Sequence, residues 1–136
     1  MSAVFLDTSG WLAAVSPKET GHAGALSAYR EAIDDGAPLV TTAMVLGEMH
    51  AMLLRARGPR DAARFVDAVM ASSAVTVVSP SVELIAAAVN RWLHGFRDQR
   101  FSLCDAVSFE VMRRERIADA LALDRHFRVA GFHSIG

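Results

Sequence analysis

The chain has 136 residues, of which 52% are hydrophobic and 21% are charged, and its formal net charge at pH 7 is -1. This length favours one domain, and the composition excludes a disordered chain. The near-neutral charge gives no sign of a protein that binds nucleic acid through a large overall positive charge. Cys104 is the only cysteine, so a disulfide within the chain and a cysteine-based zinc site are both excluded.

The apolar runs are too short for the roughly 20 residues of a membrane-spanning helix. The first residues lack the basic segment and apolar core of a signal peptide. A chain with a single cysteine is typical of a reducing compartment. We therefore expect a soluble, cytoplasmic protein that does not associate with membranes.

The first half of the chain alternates apolar runs with helical patterns. Residues 3–7 form an apolar run that ends on Asp7, and they predict a buried strand whose last residue is this acid. Thr42 is the predicted N-cap of the third helix. After the first strand, the predicted elements are helices at 9–15 and 22–34, a strand at 38–41, helices at 43–57 and 60–71, and a strand at 75–78.

The second half continues this alternation. Its predicted elements are a helix opened by residues 79–81 that reaches about residue 94, a polar loop at 95–101, a helix at 103–116 capped by Ser102, a strand at 120–123 that ends on Asp124, a helical turn, and a short strand at 132–135. Trp11 and Trp92 are predicted to anchor the core or an interface. Because strands alternate with helices, we predict an α/β fold in which residues 1–136 form one domain, a three-layer α/β/α sandwich with a mainly parallel central sheet.

Two acids, Asp7 and Asp124, each end a predicted strand. In open parallel sheets, ligands bind outside the carboxyl ends of the strands, which is where both side chains would lie. Either acid taken alone is more typical of a helix N-cap. The functional interpretation therefore depends on whether other acids reach the same place.

Glu48 lies on a predicted helix in line with Met44 and Met52, four residues away on each side. A carboxylate within an apolar stripe is unfavourable unless it is paired, protonated or bound to a metal. The alternative is an edge position at which Glu48 reaches water or Arg55.

Asp105 has a similar setting, because Phe109 and Met112 follow it at helical spacing. Ser102 and Asp105 also fit a capping box, in which the acid occupies the third helical position. Both interpretations can hold together.

Four acids that meet in one place would repel one another and resist joint ionisation. A divalent cation removes this conflict, and oxygen ligands suit Mg²⁺ or Mn²⁺. Such an ion can activate water and stabilise the charge that develops in phosphoryl transfer. The acids thus predict a divalent-metal site suited to such chemistry.

Four segments in this order resemble the PIN-domain ribonucleases, and in particular the VapC toxins of bacterial toxin–antitoxin pairs. The segments are Leu6-Asp7-Thr8-Ser9, the helix from Thr42 to Glu48, Phe101-Ser102-Leu103-Cys104-Asp105-Ala106, and Leu121-Ala122-Leu123-Asp124-Arg125-His126-Phe127. The resemblance implies a Mg²⁺- or Mn²⁺-dependent endoribonuclease of PIN-like fold that acts on RNA. It also implies a homodimer held inactive by a VapB-type antitoxin. By the same resemblance, the metal site and catalytic residues are Asp7, Glu48, Asp105 and Asp124.

The chain departs from the family pattern at Ala122, where the family often has Thr, and this makes Asp124 the least secure ligand. Asp98 is a candidate peripheral acid, and its alternative role is a solvated loop acid beside an arginine. His126 is a candidate phosphate contact, although packing or capping is the simpler interpretation. Three late arginines are candidate contacts to the RNA backbone, with a solvated helix face as the alternative: Arg97, Arg100 and Arg125.

Two other kinds of protein remain open at this point. A PIN-like module that only binds RNA or a partner would use the same fold without metal-dependent cleavage. A phosphoacceptor signalling domain also carries acids at strand ends, but it is expected to have adjacent acids after the first strand and a Lys after a late strand. Here Thr8 follows Asp7, and Lys18 is the only lysine.

Overall fold

Five short strands form one parallel sheet in the computed structural model, which describes residues 2–136. The strands lie in the order β3-β2-β1-β4-β5, and each neighbouring pair is parallel. They are β1 (Val4–Leu6), β2 (Leu39–Thr42), β3 (Val75–Val78), β4 (Asp119–Leu121) and β5 (His133–Ile135). In β1, Val4 is paired with Leu39 on one side and with Asp119 on the other. The carboxyl ends of β1 and β4 therefore lie side by side.

In the described part of the chain, seven α-helices connect and cover the strands, which confirms the predicted three-layer α/β/α sandwich. They are α1 (Thr8–Val15), α2 (His22–Asp34), α3 (Ala43–Arg57), α4 (Pro59–Ala71), α5 (Val82–Ala88), α6 (Leu103–Glu115) and α7 (His126–Val129). α1 packs against α2 and α3, and α3 against α4, while α5 packs against α6. Over residues 2–136, none of the helices has the length and hydropathy to cross a membrane.

The core follows the apolar periodicity of these elements. Phe5 and Leu6 of β1 are fully buried, as are Phe109 of α6 and Phe127 of α7. Phe109 makes an edge-to-face contact with Phe127 at a centroid distance of 4.9 Å. Both tryptophans are buried, as predicted, since Trp11 is 1% and Trp92 is 7% exposed.

The predicted end of the fourth strand was wrong. Pairing stops at Leu121, whose carbonyl accepts a hydrogen bond from the backbone N–H of Asp7 at 3.2 Å. Two residues later, the backbone N–H of Leu123 donates to the Ser9 side chain. Asp124 consequently lies in a loop three residues beyond β4, and it does not end the strand. Asp7 itself follows β1 as the N-cap of α1.

The helix predicted to reach residue 94 changes form at Val89. The α-helical part ends at Ala88, and Val89–His94 forms a π-helical segment. This wider turn contains the buried Trp92, whose Nε1 donates to Glu110 Oε1 of α6 at 3.1 Å. π-Helical turns are rare, and apolar periodicity does not distinguish them from α-helix.

Glu110 has a fully buried side chain held by three arginines. Arg91 lies 3.3 Å from its carboxylate, Arg113 2.8 Å and Arg114 2.9 Å. Burial acts to raise the pKa of Glu110, but the hydrogen bonds from Arg113, Arg114 and Trp92 outweigh it and lower the pKa from 4.5 to about 2. The ionised form is thus favoured in the folded protein.

We expect Glu110 to contribute to acid stability. A lowered pKa adds stability that is complete above the ordinary value and is lost as the pH falls from about 4.5 to about 2. Glu110→Gln should lower the free energy of unfolding at pH 7 by about 3 kcal/mol and flatten its decline over that window. Denaturant unfolding between pH 2 and 7 measures both effects. Glu115→Gln, an exposed position on the same helix, is the control, and an equal loss there would contradict this role.

Candidate metal centre

All four predicted acids line one cleft of about 450 Å³. The cleft lies where Asp7 follows β1 and where the loop after β4 passes α6. Its lining residues are Asp7, Thr8, Ser9, Glu48, Ala51, Met52, Arg55, Arg100, Ser102, Asp105, Asp124 and His126. Acids from four separate parts of the chain are thus brought together.

Asp7 is the most buried of the four acids, with 4% of its surface exposed. Its Oδ2 accepts hydrogen bonds from the backbone N–H of Ser9 at 3.2 Å and from the Ser9 hydroxyl at 2.6 Å. Burial raises the pKa of Asp7 from 3.8 to about 7, and the charges of Asp124 and Asp105 add to this while the Ser9 hydrogen bonds oppose it. Without a cation, the Asp7 carboxyl is therefore about half protonated near neutral pH.

Ser9 also links the segments that follow β1 and β4. While its hydroxyl donates to Asp7, its oxygen accepts a hydrogen bond from the backbone N–H of Leu123 at 3.0 Å. This contact ties the start of α1 to the loop that carries Asp124. The Ser9 hydroxyl thereby fixes the spacing between the first and last acids.

Glu48 projects from α3 into the cleft and is exposed. It lies at an edge position open to water, as the alternative interpretation predicted, and Met44 and Met52 beside it are only partly buried. Its Oε1 accepts a hydrogen bond from the Thr8 hydroxyl at 2.6 Å. The alternative pairing with Arg55 is absent from the ion pairs of residues 2–136. The partner of Glu48 thus comes from α1, directly after Asp7.

Asp105 serves as a helix cap and also faces the cleft. It completes a capping box with Ser102, in which each backbone N–H donates to the other residue's side chain at 3.0 Å. The same Asp105 oxygen, Oδ2, lies 3.0 Å from Nδ1 of His126. The capping box predicted from the sequence is therefore present, and the same side chain lines the cleft.

Asp124 and His126 approach Asp105 from the loop after β4. Asp124 Oδ1 accepts a hydrogen bond from the backbone N–H of His126 at 3.0 Å. Burial and the charge of Asp105 raise the pKa of Asp124. One potential ligand atom each from Asp105, Asp124 and His126 lies within 4.8 Å of the other two.

For His126, the sequence favoured a packing or capping role over a phosphate contact, and it did not predict the contact with Asp105. Its ring does pack edge-on against Phe101, at a centroid distance of 5.4 Å, but its nitrogen faces Asp105. The available signal was its position two residues after Asp124, where a backbone N–H commonly returns to an Asp side chain. Spacing in the sequence alone could not show that α6, which carries Asp105, lies opposite His126.

The hydrogen bonds leave an open oxygen on two of the acids. Within the described part of the chain, the second oxygens of Asp7 and Asp105 have no hydrogen-bond partner. Across residues 2–136, none of the four acids forms an ion pair with Lys or Arg. Carboxylates that have free oxygens and no Lys or Arg partner fit a hard divalent cation such as Mg²⁺ or Mn²⁺.

The other candidate residues differ in their distance from this cleft. Arg100 lines it, whereas Arg97, Arg125 and Asp98 are not among its lining residues. Asp98 accepts a hydrogen bond from Gln99 at 3.4 Å. Cys104 is buried, and burial together with the charge of Glu48 raises the pKa of its thiol. It therefore stays protonated and is poorly suited to nucleophilic attack.

Comparison with known proteins identifies similar chains. The PIN domain family model matches residues 4–133. Proteins from two strains of Mycobacterium tuberculosis, CDC 1551 / Oshkosh and ATCC 25618 / H37Rv, are each named 23S rRNA-specific endonuclease VapC20 and are 35% identical over 129 residues, which is 95% of either chain. The crystal structure of Mycobacterium tuberculosis VapC20, described as a sarcin–ricin loop cleaving toxin, matches with a TM-score of 0.82 and 34% identity over 96% of each chain.

Proposed function

The chain belongs to the PIN-domain family, and on this premise we propose that it is a metal-dependent endoribonuclease and the toxin of a VapBC-type toxin–antitoxin pair. The observation that carries the proposal is the meeting of Asp7, Glu48, Asp105 and Asp124 in one cleft. The similarity to VapC20, a 23S rRNA-specific endonuclease, supports RNA as the substrate.

In this proposal the four acids hold one or two Mg²⁺ or Mn²⁺ ions. Such an ion supplies an activated water and offsets negative charge on the scissile phosphate. The chain itself holds the carboxylates in place through Ser9, Thr8 and Ser102. Because water would be the nucleophile, no side chain has to attack the phosphate. The Ser9 hydroxyl is already hydrogen-bonded to Asp7 and to the backbone of Leu123.

The same premise extends to substrate and partners. The 35% identity to VapC20 makes 23S rRNA the first substrate to test. We propose that the protein acts in the cytoplasm as a homodimer and is held inactive by a VapB-type antitoxin. A small DNA-binding reading frame next to the gene would support this pairing.

The central experiment is a metal titration of protein purified free of antitoxin. We expect endonucleolytic cuts in RNA when Mn²⁺ or Mg²⁺ is added, no cuts in EDTA, and recovery when excess Mn²⁺ is restored. Mapping of RNA ends measures the cuts and identifies the cleaved sequence. Cleavage that persists in EDTA would contradict metal dependence. RNA binding without cleavage at any Mn²⁺ concentration would favour the alternative, a non-catalytic RNA- or partner-binding module.

We expect Arg100 to hold an RNA phosphate at the cleft. Arg100→Ala should raise KM about fivefold with little change in kcat, because it removes one phosphate contact of about 1 kcal/mol. The slope of log affinity against log salt concentration for RNA binding should also decrease by the amount expected for about one phosphate contact. Arg97→Ala and Arg125→Ala are matched comparisons outside the cleft lining. Equal effects in all three variants would indicate a diffuse basic surface and no specific contact by Arg100.

A further inference from the structure

We propose that His126 is a positioning residue that fixes Asp105 and Asp124 for metal binding, an inference that rests on the proposed function. His126 contacts both acids. Its ring Nδ1 lies 3.0 Å from Asp105 Oδ2, and its backbone N–H donates to Asp124 Oδ1 at 3.0 Å. A single residue thus joins the acid on α6 to the acid in the loop after β4.

The direction of the ring contact follows from its chemistry. An ionised carboxylate can only accept, so Nδ1 of His126 carries the hydrogen and donates it. Asp105 Oδ2 then receives two donors, since the backbone N–H of Ser102 also donates to it at 3.0 Å. With Oδ2 held from two sides, Oδ1 is the oxygen left for a cation.

The imidazole is itself held by the core. The edge of its ring packs on Phe101, which is buried and contacts Phe109 at a centroid distance of 5.0 Å. The next residue, Phe127, is fully buried. Because its ring packs on Phe101 and the next residue is buried, His126 has supports other than the acids, and we infer that its hydrogen bonds orient them.

Donors behind a metal ligand typically change metal affinity 10- to 100-fold when they are removed. We therefore expect His126→Leu to bind Mn²⁺ 10- to 100-fold more weakly than the unmodified protein. His126→Asn places an amide N–H near the position of Nδ1, and it should retain Mn²⁺ affinity to within about threefold. Excess Mn²⁺ should restore kcat in His126→Leu, which a purely structural lesion would not allow.

The chain offers a matched control at the amino ends of β4 and β5. His133 Nδ1 lies 3.0 Å from Asp119 Oδ1, the same type of pair outside the cleft. His133→Leu should leave Mn²⁺ affinity unchanged. Mn²⁺ binding is measured by calorimetry and by electron paramagnetic resonance at fixed pH. Near-ultraviolet circular dichroism checks the fold of each variant, and His126→Ala replaces His126→Leu if the latter does not fold.

The outcomes separate this inference from the proposed function. Unchanged Mn²⁺ affinity in folded His126→Leu or His126→Ala would overturn the positioning role while leaving the nuclease proposal intact. Equal losses in His126→Asn and His126→Leu would overturn it in favour of direct ligation by the imidazole. The proposed function itself fails if the unmodified protein does not bind Mn²⁺, or if Asp7→Asn binds Mn²⁺ equally well.

Discussion

Asp7→Asn should abolish RNA cleavage and at the same time stabilise the metal-free protein above pH 7. Asp7 is buried beside two other acids, and its pKa is about 7 in place of 3.8. That difference corresponds to about 4 kcal/mol of unfavourable free energy for the ionised form. Asn keeps the shape and an acceptor for Ser9 but has no charge. It should therefore remove the repulsion together with the metal ligand.

The sign of the pH dependence follows from the raised pKa. Stability from the protonated Asp7 carboxyl is complete below about pH 4 and is lost as the pH rises through about 7. Asp7→Asn should lack this loss, so its melting temperature in EDTA should exceed that of the unmodified protein most clearly at pH 8. Mn²⁺ must displace the Asp7 proton, and its affinity for the unmodified protein should rise with pH up to about 7.

We expect the rate of cleavage by Asp7→Asn to fall by about 1,000-fold or more. Single-turnover cleavage and thermal melts in EDTA measure the two effects on the same preparations. Asp98→Asn is the control, because this acid does not line the cleft. Undiminished cleavage by Asp7→Asn would reject the assignment of Asp7. Lower stability at pH 8 would mean that the hydrogen bonds with Ser9 outweigh the charge repulsion.

The acids could be selected from the sequence because each carries a local signal. Asp7 follows an apolar run and caps a helix, and Asp105 stands in a capping box with Ser102. The parallel order of the sheet then explains why they meet. β1 lies between β2 and β4, so segments that leave these strands emerge at the same edge. Alternation of strands with helices was sufficient to predict that arrangement.

What the sequence could not supply are contacts between distant segments. The bond from Thr8 to Glu48 spans 40 residues, and that from Leu123 to Ser9 spans 114. The second bond draws the chain away from strand pairing after Leu121, which is why the predicted strand at 120–123 ran too long. The side-chain contact of His126 was missed for the same reason, since Asp105 is 21 residues away. Local sequence propensities do not indicate contacts between residues that are this far apart in the sequence.

Gly10→Ala should destabilise the protein and separate the acids. An added Cβ at Gly10 would meet the backbone carbonyl of Leu121 and would lie 2.7 Å from the backbone nitrogen of Ala122. Because these are backbone atoms of β4 and its following loop, they cannot rotate away as a side chain could. α1 would have to move off the end of β4. We expect a loss of about 3 kcal/mol in the free energy of unfolding.

The same displacement should reach the cleft, because the neighbouring Ser9 binds both Asp7 and Leu123. Gly10→Ala should thus weaken Mn²⁺ binding even where the protein remains folded. Gly47→Ala is the matched control: this glycine lies in α3 next to Glu48, and a Cβ there meets no atom within 4 Å. As a helix-interior substitution it should stabilise the fold by up to about 1 kcal/mol and leave Mn²⁺ affinity unchanged. If Gly10→Ala behaved like Gly47→Ala, close contact between α1 and β4 would not be what holds Asp7 and Asp124 together.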